Sequence, residues 1–227
     1  MDTVFFNTYP KVLLDELKAY KTNSIHKNVH YPKFLFLCGK APELGQKTNR
    51  DWIQDYYIKN ATSIVPILSE TLWETESSEY KLDLLTFEDF LAEASDFIIL
   101  FIESYGTACE LGAFAITEKL FKKLIIINDN EFVNTKSFIN DGPVRKLINE
   151  KKENVIYTDL NAIFSNPKVV NKLTEIAFLH KRLTINKDYS RIQLNSFIIE
   201  MLELISILQP VKQSDLISIY KNVKNFN

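Results

Sequence analysis

The chain has 227 residues with a formal net charge of −2, and 46% of it is hydrophobic against 25% charged. That balance is the usual one for a globular protein with a real core, and the near-neutral charge excludes a general attraction to nucleic acid or membrane surfaces. Two cysteines, Cys38 and Cys109, sit in apolar sequence, which excludes a disulfide framework and any cysteine-based metal site and points to a reducing compartment.

In chain order, an acidic-containing N-terminus without a long apolar core does not read as a signal peptide. An amphipathic stretch follows from Val12 to Tyr20, then a polar link through His30. Lys33–Cys38 (KFLFLC) is a short apolar run ending at Gly39, the pattern of a buried parallel strand. Residues Thr48–Asn60 have helical spacing through Trp52, Tyr56 and Tyr57. Ser63–Leu68 is a second strand, with Pro66 placing it at an edge or at a strand end. Leu84, Phe87, Leu91 and Ala92 repeat at helical spacing up to Ser95-Asp96. Phe97–Ile102 (FIILFI) is the strongest strand signal in the chain. A turn at Glu103-Ser104-Tyr105-Gly106 leads into a helix over Thr107–Leu120. Leu124–Ile127 is a fourth strand, Val144–Glu150 a helix, and Asn154–Tyr157 a fifth strand.

Strands alternating with helices at this spacing predict an α/β fold, doubly wound around a five-stranded parallel sheet. Beyond Asn166-Pro167 only helical patterns remain, over Val170–Leu183, Ile192–Leu208 and Gln213–Val223, the last with Ser214 as cap. The expected organisation is an N-terminal helical segment over 1–30, an α/β domain over 31–165, and a helical extension over 166–227. The last two patterned helices, joined by a short Pro-containing turn, read as the opening of a helix-turn-helix unit or as a plain helical cap. From Lys181 onward seven Lys/Arg stand against four Asp/Glu, a mild basic tilt that a solvated helical surface also explains. No apolar run approaches the ~20 residues that span a bilayer, so a soluble cytoplasmic protein is expected.

In doubly wound folds ligands bind beyond the carboxyl ends of the strands, so the loops to inspect are Gly39–Lys47, Ser69–Glu76 and Glu103–Thr107. The sequence places Glu103 and Ser104 at that edge, with Gly106 permitting close approach of a ligand. It predicts Thr107 as the helix cap and Glu110 in the first helical turn. Two readings of Glu110 stand at this point. Thr107-x-x-Glu110 is a capping box, a structural device; alternatively Glu110 is a carboxylate aimed at a ligand. Lys40 and Arg50 follow the first strand, as phosphate ligands or as plain surface charge, and Glu70 follows the second at the same edge. His26, His30 and His180 lie away from this block and read as structural or exposed.

The block Asp83–Phe114 resembles the nucleoside 2-deoxyribosyltransferase family, whose strand is followed by G-x-x-E-L-G; here Gly106-Thr107-Ala108-Cys109-Glu110-Leu111-Gly112. Four stretches are similar in order and spacing to a subgroup, the retron-associated effectors of bacterial anti-phage systems. They are Phe34–Lys40, Leu84–Ser104, Gly106–Phe114 and KSFINDGPVRKL at Lys136–Leu147. The resemblance implies Glu110 as nucleophile and Glu88 as a sugar-contacting carboxylate. Ser104 stands where the deoxyribosyl-transferring members carry aspartate, with Glu103 as its replacement. It further implies cleavage of the N-glycosidic bond of NAD or a related nucleotide, which serves as substrate, with no cofactor and no metal. Gly39, Lys40, Arg50, Glu70, Ser104, Gly106, Thr107 and Asn140 are the expected substrate-binding residues, and Asn140-Asp141-Gly142 either closes the pocket or packs a neighbouring subunit in a homo-oligomer. The implied partners are a retron reverse transcriptase and its RNA–DNA hybrid product, and the implied C-terminal region, starting at Ile192, is winged-helix-like. A nucleotide-sensing module without turnover, or an adaptor docking such a complex through the basic tail, are the competing functions.

Overall fold

The computed structural model describes residues 32–43, 45–60, 63–73, 83–178, 198, 201–202, 204–206 and 211–224. The amphipathic stretch Val12–Tyr20, all three histidines and most of the helix expected over Ile192–Leu208 lie outside the described residues. The chain divides into two units, of which Pro32–Lys181 is the larger.

That unit is built on strands β1 (Lys33–Cys38), β2 (Ile64–Ile67), β3 (Phe97–Phe101), β4 (Leu124–Asp129) and β5 (Val155–Thr158). They form one five-stranded sheet in the order β2-β1-β3-β4-β5, and every neighbouring pair is parallel. The expected doubly wound sheet is present, with each strand within two residues of its predicted bounds. Pro66 falls on β2, the edge strand, where its missing N–H costs no ladder bond on the outer side.

The helices are α1 (Asn49–Asn60), α2 (Ser69–Trp73), α3 (Leu84–Ala94), α4 (Tyr105–Ile116), α5 (Glu118–Phe121), α6 (Arg145–Lys151) and α7 (Pro167–Phe178). Because side chains alternate along a strand, each apolar run feeds two cores. Phe36, Cys38, Ile98, Leu100 and Ile126 face one side, where α3, α4 and α6 pack through residues such as Leu91, Leu111 and Leu147. Leu35, Leu37, Ile99, Phe101 and Ile127 face the other, against Ile53 and Tyr57 of α1 and Val169, Leu173 and Ile176 of α7. Each such side chain taken out of water contributes roughly 1.5–3 kcal/mol. The helix that sequence assigned to the extension after residue 166 thus packs on the sheet itself. Two buried polar ties fasten it: Tyr57 Oη donates to the carbonyl of Leu173 at 2.9 Å, and Lys33 Nζ to that of Ile176 at 3.1 Å.

Between β4 and α6 the KSFINDGPVRKL segment forms one π-helical turn, Asn140–Val144, running directly into α6. Pro143 inside it lacks a backbone donor, and the α-helical pattern that opens with the Asp141 N–H on the Ser137 carbonyl resumes only after it, at Arg145. In the second unit, α8 (Gln213–Lys224) buries Leu216, Ile219 and Tyr220 at helical spacing. Among the described residues no helix is long and apolar enough to cross a membrane.

Candidate active site

The site begins with the register of β1 and β3, which sets Cys38 beside Leu100. The turns leaving these two strands therefore rise next to each other at the carboxyl edge. Glu103 ties them together. Its Oε2 accepts the backbone N–H of Lys40 at 3.2 Å, and its Oε1 accepts Asn49 Nδ2 at 2.5 Å. Gly39 is the glycine this junction requires. A Cβ there would sit 2.8 Å from Arg50 Cγ, 2.9 Å from Arg50 Cδ and 3.2 Å from Glu103 Oε2. Gly106, expected to serve close approach, meets nothing nearer than Ser104 Oγ at 3.6 Å.

Arg50 is buried at 3% exposure beneath this junction. Its Nη1 donates to both carboxylate oxygens of Glu70, at 2.8 and 3.0 Å, and Nη2 to the carbonyl of Lys40 at 2.8 Å. A guanidinium suits this position because its planar fork serves two acceptors at once. Its Nε is buried without a hydrogen-bond partner. From Glu70 the polar chain continues: Ser69 Oγ donates to Glu88 Oε1 at 3.2 Å. Of the two side chains expected near phosphates, Arg50 is thus committed inside the protein, while Lys40 projects to solvent beside Glu43 at 3.7 Å.

The helix carrying Glu110 starts two residues earlier than the sequence predicted. Ser104 is the N-cap of α4 and Thr107 is its third residue. Ser104 Oγ accepts the Thr107 N–H at 3.2 Å, and Thr107 Oγ1 accepts the Ser104 N–H at 3.0 Å. Thr107 Oγ1 also accepts the Glu103 N–H at 3.1 Å. The capping box is Ser104-x-x-Thr107, so the expected Thr107 cap and first-turn Glu110 are both corrected. Glu110 lies in the second turn and has no capping duty.

Glu110 is half-buried between β1 and α3. Its carboxyl is pushed up from an ordinary 4.5 to about 7, first by burial and then by the neighbouring charge of Glu88, against weaker opposing contributions from the Cys38 thiol and Arg50. Oε2 is buried without a hydrogen-bond partner. Glu88 is itself raised by burial, with the Ser69 hydroxyl pulling the other way. Burial and the two carboxylates drive the Cys38 thiol well above its usual range, so it stays protonated.

Glu110, Glu88, Glu70 and Arg50 therefore form one cluster, and Glu103, Gly39 and the Lys40 backbone form its upper rim. Asn140 stands apart from it. Its amide donates to the carbonyls of Phe132 and Thr135 at 2.6 and 2.7 Å, and its Oδ1 accepts Tyr157 Oη at 3.1 Å, so these contacts hold the loop after β4. Sequence reasoning passed over Cys38, Asn49 and Ser69. Cys38 reads only as one more apolar strand residue, whereas Asn49 and Ser69 carried a findable signal, being polar residues at helix starts on the carboxyl edge. Among the described residues no group of His, Cys, Asp and Glu is arranged to hold a metal ion.

Part of the sequence is similar to known proteins. The chain is 35% identical over 125 residues to the Escherichia coli protein named "Retron Ec73 putative ribosyltransferase/DNA-binding protein", covering 53% of this chain and 40% of that protein. It is 35% identical over 129 residues to the Escherichia coli "Retron Ec86 putative ribosyltransferase/DNA-binding protein", covering 57% and 42%. The matches thus span about two fifths of the length of these curated relatives. A profile of the STM3845 retron effector protein family matches residues 46–227, most of the chain. On that match, across both the carboxylate cluster and the C-terminal helices, the chain belongs to the STM3845 retron effector protein family.

Proposed function

We propose that this retron effector cleaves the N-glycosidic bond of NAD or a related nucleotide, with Glu110 as the nucleophile. The observation that carries the reading is the state of Glu110: released from capping, half-buried at the strand edge, with one carboxylate oxygen lacking any partner. A buried acceptor without a donor is costly unless something else satisfies it, and an electron-poor ribosyl carbon would do so.

The steps balance as a double displacement. A Glu110 oxygen bonds to C1′ of the ribose while the C1′–N bond breaks, and its electron pair neutralises the departing pyridinium nitrogen. Water then bonds to C1′, the ester to Glu110 breaks, and the water's proton leaves to solvent or to Glu88. The developing oxocarbenium charge lies among Glu110, Glu88 and Glu70, which favours it electrostatically. Nicotinamide leaves as a neutral molecule, so the chemistry needs no strong general acid. The cationic substrate also favours the ionised form of Glu110 over the protonated one.

The relatives named ribosyltransferase/DNA-binding agree with a ribosyl-cleaving role for the larger unit. For the whole protein we further propose a cytoplasmic effector restrained by a retron reverse transcriptase and its RNA–DNA product. Purified protein incubated with NAD, followed by chromatography for free nicotinamide, tests the reaction. Release of nicotinamide that disappears in Glu110→Gln supports it; saturable binding with no product after prolonged incubation replaces it with a sensor.

A further inference from the structure

Beside the carboxylate cluster lies an open groove of about 450 Å³ that the cluster does not use. One wall comes from the loop entering α1 and from α1 itself, through Lys40, Gln46, Lys47, Asn49 and Trp52; the other is the 160–165 segment after β5, including Phe164. Among the described residues that line it, none is acidic. Asn49 joins the groove to the site, since its amide holds Glu103 in the turn leading to the Glu110 helix.

The walls have a specific chemistry. Lys47 Nζ is fixed against the wall by Asp55 at 2.5 Å and by the Trp52 ring, 5.1 Å from its centroid. Phe164 stacks on Tyr56 with ring centroids 5.8 Å apart and planes 29° apart, yet stays 39% exposed. Trp52 is 47% exposed. The groove therefore offers ammonium groups and aromatic surface along its walls. Ammonium groups suit phosphate oxygens and aromatic rings suit a nucleobase. Its volume lies in the range of small-molecule sites, roughly 300–1,000 Å³.

We propose that this groove takes the phosphate-linked second nucleoside of a dinucleotide whose first ribosyl bond lies at Glu110, an inference that rests on the glycosidic reading above. A single nucleoside phosphate fits it better than a nucleic-acid strand. Backbone tracking needs a row of cations, whereas this groove supplies two, on a chain whose net charge is −2.

The test compares full-length wild type with Lys47→Gln and Phe164→Ala, acting on NAD and on nicotinamide mononucleotide, which lacks the second nucleoside. Each substitution should lower kcat/KM for NAD about tenfold, as lost stacking or phosphate contact would, and leave the mononucleotide unchanged. Equal falls for both substrates, or no fall for NAD, overturn the assignment. Circular dichroism checks that Phe164→Ala folds, and Lys47→Gln at an exposed position decides the matter if it does not. If wild type cleaves neither substrate, the glycosidic reading fails and AMP binding by calorimetry judges the groove alone. AMP affinity reduced about tenfold by Lys47→Gln upholds the site. No AMP binding, or a preference for single-stranded oligonucleotide lost in Lys47→Gln, overturns it.

Discussion

Ser104 and Thr107 cap the start of α4 by exchanging hydrogen bonds, Oγ to N–H in one direction and N–H to Oγ1 in the other. The exchange satisfies the helix start locally and leaves the next carboxylate along, Glu110, with nothing structural to do. Between the two sequence readings of Glu110, this geometry removes the capping one and leaves its carboxyl facing Cys38 and Glu88.

Glu110→Gln should abolish nicotinamide release, by at least about a thousandfold, while preserving the fold. The same variant should be more stable than wild type at pH 8. A carboxyl held at about 7 in the folded protein and near 4.5 when unfolded binds more protons folded, so stability falls as pH rises from 4.5 to 7 and is constant above. The penalty removed at pH 8 is at most about 3 kcal/mol. Thermal unfolding at pH 5 and pH 8 checks it: the gap between variant and wild type should open only at the higher pH.

Activity should follow the ionised nucleophile. With free enzyme, kcat/KM for NAD should rise with pH and level off above about 7. Glu88→Gln removes the neighbouring negative charge and should move that limb to lower pH, whatever it does to the plateau. A limb that stays in place in Glu88→Gln would disconnect the two carboxylates.

Ser104→Ala should cost about 1 kcal/mol of stability through loss of the cap. Ser104→Asp, an equally good cap, should restore it. Denaturant unfolding measures both. If activity tracks stability across the pair, Ser104 acts through the helix start; a loss of activity in the Ala variant at full folding would give it a contact with the sugar.

Gly39→Ala should destabilise by about 1–3 kcal/mol, because its Cβ meets Arg50 at 2.8 Å and that side chain is held by Glu70 and the Lys40 carbonyl. Gly106→Ala, with nothing closer than 3.6 Å, should cost far less. Chemical denaturation of the two alanine variants separates the glycine needed for space from the one that merely lies in the motif.

Much of this was legible in the sequence, for a physical reason. Parallel strands buried on both faces read as unbroken apolar runs, so KFLFLC, FIILF and LIII announced themselves and fixed the carboxyl edge. Glu110, Glu70 and Arg50 could be placed at that edge because each follows a strand, whereas Glu88 came only from the family resemblance. The helix start at Ser104 was harder, since Ser and Thr both cap and only the backbone decides between them. The burial of Arg50 was invisible: periodicity marks which face of a helix is apolar, not that a charged residue will be enclosed by the glycine turn above it. Asn140 posed a related question, because a polar residue in a distinctive motif gives no sign of whether its amide meets a ligand or, as here, the carbonyls of its own loop.

The strand order carries a consequence for biosynthesis. β2 adds to one flank of β1, then β3, β4 and β5 add in turn to the other, so the sheet grows outward in the order in which its strands leave the ribosome. All the residues of the carboxylate cluster are made before β4, which covers the remaining edge of β3. The carboxylate-bearing edge is therefore complete in sequence before the strand that covers β3 begins at Leu124, little more than a dozen residues after Glu110.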